Sequence, residues 1–253
     1  TGRYMERILL QLISVLFPLR RVLRPERCRF PALMLMLLFP LNTAAQGYFM
    51  ESVGAEMEYL RTNVKDGSFH WGHVITVTDV EHIGATRKYT TESVFTKKNG
   101  KPMYRSNVVE ITYVDTLTHS INTDVGLAAI SYASAISGLK TTGTSLLSPF
   151  PADIEPGDVL EPIVTAVKVG PLTYTATITD RRVVRRETIT VPAGTFDCMV
   201  VSEHKVESGP GHNRDVTNLT WYAKGVGYVR HDTHNNKKDV PETTEVLISY
   251  SKK

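Results

Sequence analysis

Two pairs of histidines in this sequence have the residue type and the close spacing that metal binding could use. His70 and His73 lie three residues apart, and so do His231 and His234. Residues three apart on a β-strand point to opposite faces, so neither pair can chelate one ion within a regular strand. The second pair could converge only in a loop, and the sequence contains no Cys/His spacing typical of zinc sites. We therefore predict no metal site and no cofactor.

Motifs for nucleophilic catalysis and phosphate binding are also missing from the sequence. No G-x-S-x-G elbow occurs. The segment Gly138–Ser145 has the glycine spacing of a phosphate-binding loop, but Thr144 stands where the essential lysine would be. Paired carboxylates that could hydrolyse glycans are set by tertiary geometry and cannot be judged from spacing. We therefore predict no catalytic residues, and a glycan-acting hydrolase ranks behind the two binding hypotheses given below.

The segment Asp180–Glu187 holds four arginines and could bind phosphate or nucleic acid. The charge of the rest of the chain argues against this interpretation. Residues 1–45 contain seven Arg and two Glu, and the remainder contains 22 basic and 24 acidic residues. A body without positive surplus has no net attraction for nucleic acid. We interpret the segment as a solvated strand and predict no nucleic-acid partner.

The first 45 residues have the layout of a secretory signal peptide. Several arginines precede an apolar run, Pro31–Leu41, and the small residues TAA follow it at 43–45. The run is too short to span a bilayer. We predict cleavage between Ala45 and Gln46, export to the periplasm or the cell surface, and a mature chain that is not transmembrane.

A membrane anchor built from Ile8–Leu19 together with Pro31–Leu41 is the alternative interpretation of this leader. Cys28 lies before the second apolar run rather than after it, which argues against a lipid-modified cysteine at a mature N-terminus. Cleavage would leave Cys198 as the only cysteine, so we predict no internal disulfide. Cys198 lies in an apolar strand pattern, and we interpret it as a small buried side chain.

Residues 46–253 are predicted to form one β-rich domain organised around the hairpin Glu187–Val201. Polar and apolar residues alternate up to Val191, which is the pattern of a half-buried strand. Pro192 cannot donate a backbone hydrogen bond and ends the ladder, and Gly194 supplies the positive φ of a tight loop. Apolar residues on both faces of the following strand indicate a central strand.

This hairpin and a second stretch resemble a known family. The sequence VPAGTFDC at 191–198 and the sequence TWYAKGVGYVR at 220–230 are similar to the TapB-like family of secreted bacterial proteins, a domain of unknown function. The resemblance covers roughly residues 59–250 and is sharp only in these two stretches. It implies an exported β-rich domain shaped like the open barrel of lipoprotein carriers, and it implies no catalytic residues. Gly225 and Gly227 in the second stretch predict a bulge or bend.

The rest of the body predicts further strands and a single helix. Leu172–Thr179 alternates strictly between apolar residues and threonine. Val125–Leu139 has apolar residues at helical spacing, with Thr123 or Asp124 as the N-cap and Gly138 at the end. We predict a mainly β fold, an antiparallel open barrel or strongly curved sheet with one short helix.

A curved sheet with one apolar face leaves a concave surface, and concave surfaces are where ligands usually bind. We therefore predict a non-catalytic exported protein that binds a lipid or another apolar or amphipathic molecule on that face. The predicted lining consists of Val109, Ile111, Tyr113, Leu172, Tyr174 and Ile178. The main alternative is an envelope assembly or scaffolding protein that binds a protein partner along an exposed strand edge.

Overall fold

The structure is a computed structural model that describes residues 46–236 and 240–252. The predicted leader, including Ala45 of the predicted cleavage site, lies outside the described residues. Gln46 is the first described residue and belongs to a compact unit that spans residues 43–253. No helix among the described residues combines the length and the apolar character needed to cross a membrane.

The described residues form thirteen β-strands and one α-helix. In chain order these elements are β1 (Glu56–Asn63), β2 (Phe69–Ile83), β3 (Thr86–Thr96), β4 (Val108–Asp115), β5 (Ile121–Asp124), α1 (Val125–Ser137), β6 (Thr141–Gly143), β7 (Leu147–Phe150), β8 (Ile163–Val169), β9 (Leu172–Val191), β10 (Gly194–Gly209), β11 (His212–Ala223), β12 (Gly227–Asn235) and β13 (Thr243–Ser251).

All thirteen strands belong to one antiparallel sheet with the order β6-β8-β9-β10-β11-β12-β13-β1-β2-β3-β4-β5-β7. Most neighbours are consecutive in the chain, because short turns connect them as hairpins. The exception in the middle of the sheet is the pairing of β13 with β1, in which Arg61 lies opposite Glu245. This pairing brings the two ends of the described chain together.

The sheet is strongly curved, because strands far apart in its order touch each other. The ring centroids of Phe150 in β7 and Tyr222 in β11 are 4.7 Å apart. These strands are eight positions apart in the order, and in a flat sheet they would be roughly 38 Å apart at about 4.8 Å per strand. Arg181 of β9 also donates to the Ser148 hydroxyl of β7 at 3.1 Å. The predicted mainly β, antiparallel and curved architecture is confirmed.

Helix α1 lies in the gap between the two ends of the sheet. It contacts β4 on one side and β8 and β6 on the other. The backbone N–H of Val109 in β4 donates to the Ser131 hydroxyl of α1 at 2.7 Å. Asp124 caps the helix by accepting from the Leu127 N–H at 2.9 Å, and Gly138 ends it with a φ of 69°. The predicted single helix and its caps are confirmed.

The central hairpin forms as the sequence predicts. β9 ends at Val191, Pro192 and Ala193 make the turn, and Gly194 begins β10 with a φ of 142°. Cys198–Val201 are buried on both faces, and β10 lies inside the sheet between β9 and β11, as predicted for a central strand. Burial, aided by nearby carboxylates, raises the pKa of the Cys198 thiol to about 12. A buried thiol with a raised pKa is not reactive, in agreement with the sequence interpretation.

The residues that follow the predicted cleavage site seal one end of the curved sheet. Tyr48 and Met50 are buried. Tyr48 packs edge-on against Phe150, with ring centroids 5.3 Å apart. The N–H of Gly225 donates to the Gly47 carbonyl at 2.8 Å. The start of the described chain is therefore part of the core rather than a loose tail.

The turn between β11 and β12 is the bend that the sequence predicts at Gly225 and Gly227. Both residues have positive φ, 70° and 104°. A Cβ on Gly225 would lie 2.4 Å from the Gln46 side-chain oxygen, which could move aside, so the positive φ is what favours glycine at this position. A bulge follows at once in the ladder, between Trp221 and Tyr222.

Replacing Gly194 with valine should lower the free energy of unfolding by about 1–2 kcal/mol, because a branched side chain is strained at positive φ. A Cβ there would meet only the Phe196 ring, at an ordinary 3.7 Å, so the cost is conformational rather than steric. Thermal melting checks this, with the exposed neighbouring substitution Thr195→Val as control. Equal melting temperatures for both variants would contradict the turn geometry.

Candidate ligand-binding site

The inner face of the curved sheet has an apolar half and a polar half. Near the sealed end it is filled by buried apolar side chains, among them Tyr48, Met50, Val77, Val183, Val201 and Leu247. Toward the other end the same face carries charged, hydroxyl and aromatic side chains. The apolar half has no room for a guest molecule, so the polar half is the candidate site.

The polar half is organised around five side chains, which we call the inner polar cluster: Arg61, His73, Thr233, Thr243 and Glu245. They come from β1, β2, β12 and β13, which are adjacent in the sheet. The register places Arg61 opposite Glu245 and Thr233 opposite Thr243. Every member is less than a tenth exposed.

The Arg61 side chain is held by one charged partner, a carboxylate, and by two uncharged partners, both hydroxyl groups. Its Nη1 lies 3.3 Å from Glu245 Oε2, and its Nη2 donates to the hydroxyls of Thr233 at 2.6 Å and Thr243 at 2.7 Å. The guanidinium also lies over the Trp71 ring, 4.6 Å from its centroid. A buried arginine with this many partners is compensated for the loss of water.

His73 is fixed in orientation but keeps one nitrogen without a partner. Its Nδ1 lies 3.2 Å from both Glu245 Oε1 and the Tyr228 hydroxyl. Its ring stacks on Phe95, with centroids 4.1 Å apart and planes 12° apart. His73 is only 7% exposed, and its Nε2 has no hydrogen-bond partner. An unsatisfied buried polar atom costs about 1–3 kcal/mol, so this nitrogen lowers the stability of the fold.

Glu245 is the ionised centre of the inner polar cluster. Burial by itself raises the pKa of this carboxyl, but the hydrogen bond and charge of His73, the charge of Arg61 and the N–H of Trp71 lower the pKa to about 2. Trp71 Nε1 donates to Glu245 Oε1 at 3.2 Å. The carboxylate therefore stays charged at neutral pH and holds Arg61 and His73 in place.

Glu110 is a second inner-face carboxyl, and it differs from Glu245 in having no compensation. It lies opposite Thr91 in the β3–β4 register, on the same face as His73. It makes no hydrogen bond or ion pair with any of the described residues. Burial raises the pKa of Glu110, and the charge of His73 opposes that rise. In the register His73 lies opposite Phe95 and Glu110 lies opposite Thr91, so the two residues flank β3 and are four residues apart along it.

Aromatic rings extend from His73 toward α1. Phe95 lies 5.1 Å from Tyr104 and 6.1 Å from Tyr132, centroid to centroid. The hydroxyls of Tyr104 and Tyr132 are 2.8 Å apart. A hollow of about 110 Å³ opens beside Phe95 and Tyr104, also lined by Pro102. A larger depression, of about 420 Å³, lies elsewhere, on the outer surface of β1 and β13.

Several side chains of the polar half are enclosed by protein and yet reached by solvent. Tyr132 is 38% exposed, although burial, followed by its bond to Tyr104, raises its pKa. Tyr222 and Tyr228 are half-buried, and burial raises their pKa values as well. Each of these three tyrosines keeps part of its surface open to solvent, and we call the space that they border the recess.

Two further ion pairs flank this recess. Lys205 lies 2.6 Å from Glu207, and Arg181 lies 3.7 Å from Glu203. Arg181 reaches the inner face because Asp180, with a φ of 51°, makes a bulge opposite Glu203. The sequence interpretation of this arginine segment as a solvated strand holds for its exposed members but not for Arg181, which is buried.

The six residues predicted to line the ligand surface do not share one face, and this prediction is corrected. Leu172, Tyr174 and Ile178 lie on the inner face, through pairing with β8 and β10. The other three alternate with the buried residues of β4 and point outward: Val109, Ile111 and Tyr113. Both faces of β4 carry apolar residues, so alternation alone fits either orientation of that strand.

Sequence reasoning missed the inner polar cluster. Arg61 and Glu245 lie 184 residues apart in the chain and meet only because β13 pairs with β1. His73 was considered only as a metal ligand. The sequence holds no local signal for the pair, because Glu245 alternates with Val246, Ile248 and Tyr250 as an ordinary polar residue of a solvated face would. Within the described ranges, no group of three or more His, Cys, Asp or Glu could hold a metal ion.

The substitution Glu245→Gln should lower the free energy of unfolding by about 3 kcal/mol at pH 7, because it leaves the Arg61 charge buried without a counterion. The folded pKa of about 2 lies below the ordinary value of 4.5. Glu245 ionisation therefore stabilises the fold above about pH 4.5, and this contribution is lost as the pH falls toward 2. Denaturant titrations between pH 7 and pH 2.5 should show the difference from wild type shrinking. A constant difference, or one no larger than that of the exposed control Glu58→Gln, would contradict the coupling.

Comparisons with known proteins support the fold and the family. A crystal structure from Bacteroides fragilis, of a protein inferred to be exported and having a YmcC-like fold, matches with a TM-score of 0.67 and 19% identity, over 82% of this chain and 100% of that chain. A crystal structure of an inferred lipoprotein from Parabacteroides distasonis matches with a TM-score of 0.68 and 18% identity, over 82% and 99%. No curated protein matches the sequence.

At these identities the two structures establish a shared fold and nothing finer. They agree with the exported β-rich domain that the TapB-like resemblance implies, but the TapB-like name itself finds no support among these matches. The family match is to a domain of unknown function and covers residues 52–246, which includes β1 through β12 and the first four residues of β13. The chain therefore belongs to the DUF3108-like family.

Proposed function

We propose that this chain is an exported, non-catalytic protein that holds an amphipathic ligand in the polar half of its inner face. The observation that carries the proposal is that the polar half of the inner face combines partly exposed aromatic rings with two groups, His73 Nε2 and Glu110, that have no partner among the described residues. A fold keeps unsatisfied polar groups at a cost, and a bound molecule removes that cost.

The chemistry of the recess favours an amphipathic ligand over a purely apolar one. Leu172, Tyr174 and Ile178 offer apolar and aromatic surface on β9. Glu110 of β4 and His73 of β2 offer hydrogen-bonding atoms on the same inner face. A ligand with an apolar tail and a polar head would satisfy both, whereas a plain hydrocarbon would leave the polar atoms dry and unpaired.

Export to the periplasm or the cell surface is part of the proposal. It is supported by the leader pattern at residues 1–45 and by the exported and lipoprotein descriptions of the two similar structures. A non-catalytic role is supported by the surroundings of His73. The imidazole is oriented as a base would be, but its free nitrogen contacts no hydroxyl or thiol among the described residues.

The alternative, a scaffold that binds a partner along a strand edge, finds less support. The sheet ends in β6, which has three residues, and β7, which has four. Pro149 lies within β7 and removes a backbone donor, and Ser148 is already bonded to Arg181. The two edge strands are short, and β7 is already in contact with β9, so they offer few free backbone groups for β-strand addition.

Two matched substitutions test the proposal. Ile178→Ser removes apolar surface from the inner face, and Ile111→Ser makes the same change on the outer face of β4. Using the fluorescent amphipathic probe N-phenyl-1-naphthylamine, we expect Ile178→Ser to weaken binding about threefold or more and Ile111→Ser to leave it unchanged, because losing a few buried methyl and methylene groups costs about 1–2 kcal/mol.

Absence of probe binding to the wild type, together with an organic extract of the purified protein that contains no bound lipid, would contradict the proposal. Equal weakening by both substitutions would place the probe somewhere other than the recess. Circular dichroism melts of both variants separate lost binding from lost folding.

A further inference from the structure

Five basic side chains lie on two stretches of the chain, residues 94–109 and 125–152, that contain no aspartate or glutamate. We call these five the basic rim: Lys97, Lys98, Lys101, Arg105 and Lys140. All five are exposed, and none of them pairs with a carboxylate among the described residues. Residues 46–253 as a whole carry 22 basic and 24 acidic residues. The basic rim is therefore a local positive surface on a body with a small negative surplus.

The fold brings the two stretches together at the C-terminal end of α1. The Lys97 N–H donates to the Lys101 carbonyl at 2.9 Å and closes the loop between β3 and β4. Further along this loop, the Arg105 N–H donates to the Ala135 carbonyl of α1 at 2.9 Å. The Arg105 side chain lies so close to Gly138 that a Cβ there would collide with it. Gly138 lies two residues before the last member of the basic rim.

Two large apolar side chains are exposed beside the basic rim. Ile136 is 49% exposed and Leu139 is 57% exposed. The backbone of Leu139 is held in place by three hydroxyl groups. Its N–H donates to Ser137 at 3.1 Å, and its carbonyl accepts from Ser134 at 3.3 Å and from Thr141 at 3.2 Å. The chain therefore keeps a leucine in solvent next to a cluster of unpaired positive charges.

The basic rim also borders the recess. The hydroxyl of Tyr104, the residue before Arg105, lies 2.8 Å from the hydroxyl of Tyr132. The hollow of about 110 Å³ is lined by Phe95, Tyr104 and Arg105. A partner that covered the basic rim would thus lie beside the entrance that an amphipathic ligand would use.

We propose that the basic rim, together with Ile136 and Leu139, docks this protein on the surface of a bilayer that contains anionic phospholipids. Basic side chains are attracted to the anionic head groups, and exposed apolar side chains enter the boundary between head groups and acyl chains. Nucleic acid would meet the same charges but would bury neither apolar side chain. This inference goes beyond the proposed function, because docking requires no ligand in the recess.

Flotation of the protein with vesicles tests the inference. The probes are vesicles of phosphatidylcholine alone and vesicles of phosphatidylcholine mixed with phosphatidylglycerol. The wild type should bind the mixed vesicles at least about tenfold more tightly than the neutral ones, because lysines near an anionic surface each contribute several-fold. Raising the NaCl concentration from about 0.05 M to about 0.5 M should weaken this binding, since salt shortens the range of the attraction.

Glutamine in place of Lys97, Lys98 and Lys101 together should weaken binding to the mixed vesicles about a hundredfold, because each lysine contributes about fivefold. The charge-matched control loses three exposed cations on other parts of the surface, through replacement by glutamine: Arg182, Lys224 and Lys252. The control should bind the mixed vesicles as the wild type does to within about threefold, because long-range attraction is screened by salt. Melting curves verify that both variants fold.

The apolar contribution has its own matched pair. Leu139→Ser should weaken binding to the mixed vesicles about threefold or more, because the serine buries no apolar surface in the bilayer. Leu117→Ser makes the same change at a leucine that is 81% exposed in the turn after β4, at the other end of the strand from the basic rim. This control should bind unchanged.

The outcomes separate the bilayer from other partners and from the proposed function. Equal wild-type binding to neutral and mixed vesicles, or equal weakening by the lysine variant and its control, overturns the docking surface. Binding to heparin as tight as binding to mixed vesicles, with no effect of Leu139→Ser on either, assigns the basic rim to an anionic macromolecule and overturns the bilayer. None of these measurements uses the amphipathic probe, so a failure here leaves the proposed function standing.

Discussion

The constraint on which the structure depends is that a thirteen-stranded sheet curls until its ends meet, yet no backbone ladder joins them in the described chain. β5 stops at Asp124, where α1 begins, so the lower part of β4 would have a bare edge. Ser131 of α1 satisfies the Val109 N–H there, and Arg181 reaches from β9 to Ser148 of β7. Side chains and one helix thus do what strand pairing would do in a closed sheet.

The inner face has an apolar half and a polar half because the gap between the ends of the sheet is filled by side chains at one end and by a helix at the other. Near the sealed end, Tyr48, Met50 and Phe150 fill the space and exclude water. Toward α1, small residues keep the helix close to the sheet without filling the interior. Polar groups facing such a space must find partners within it. Most of these polar groups are paired within the inner polar cluster. The few without a partner among the described residues are the groups to which a ligand could add a hydrogen bond.

The local features of this fold could be read from the sequence, and the long-range ones could not. The hairpin at Pro192–Gly194 and the caps of α1 depend on residues within a few positions of each other. The orientation of β4 and the meeting of Arg61 with Glu245 depend on which strands pair, and no local pattern carries that information. The face on which Arg181 lies could not be predicted either, because a bulge at Asp180 moves its side chain to the face opposite the one that alternation predicts.

The division of labour within the recess follows from these energetics. Burying an acyl chain against Leu172, Tyr174 and Ile178 would stabilise the complex by roughly 25 cal/mol per Å² of apolar surface, whatever head group the ligand has. A partly buried carboxyl without a partner among the described residues, such as Glu110, instead penalises by about 1–3 kcal/mol a ligand that covers it without pairing with it. Affinity would therefore come from β9, and discrimination from Glu110 and His73. Replacing His73 with an apolar residue would also remove a partner of the buried Glu245 carboxylate, so this imidazole contributes to the stability of the inner polar cluster as well.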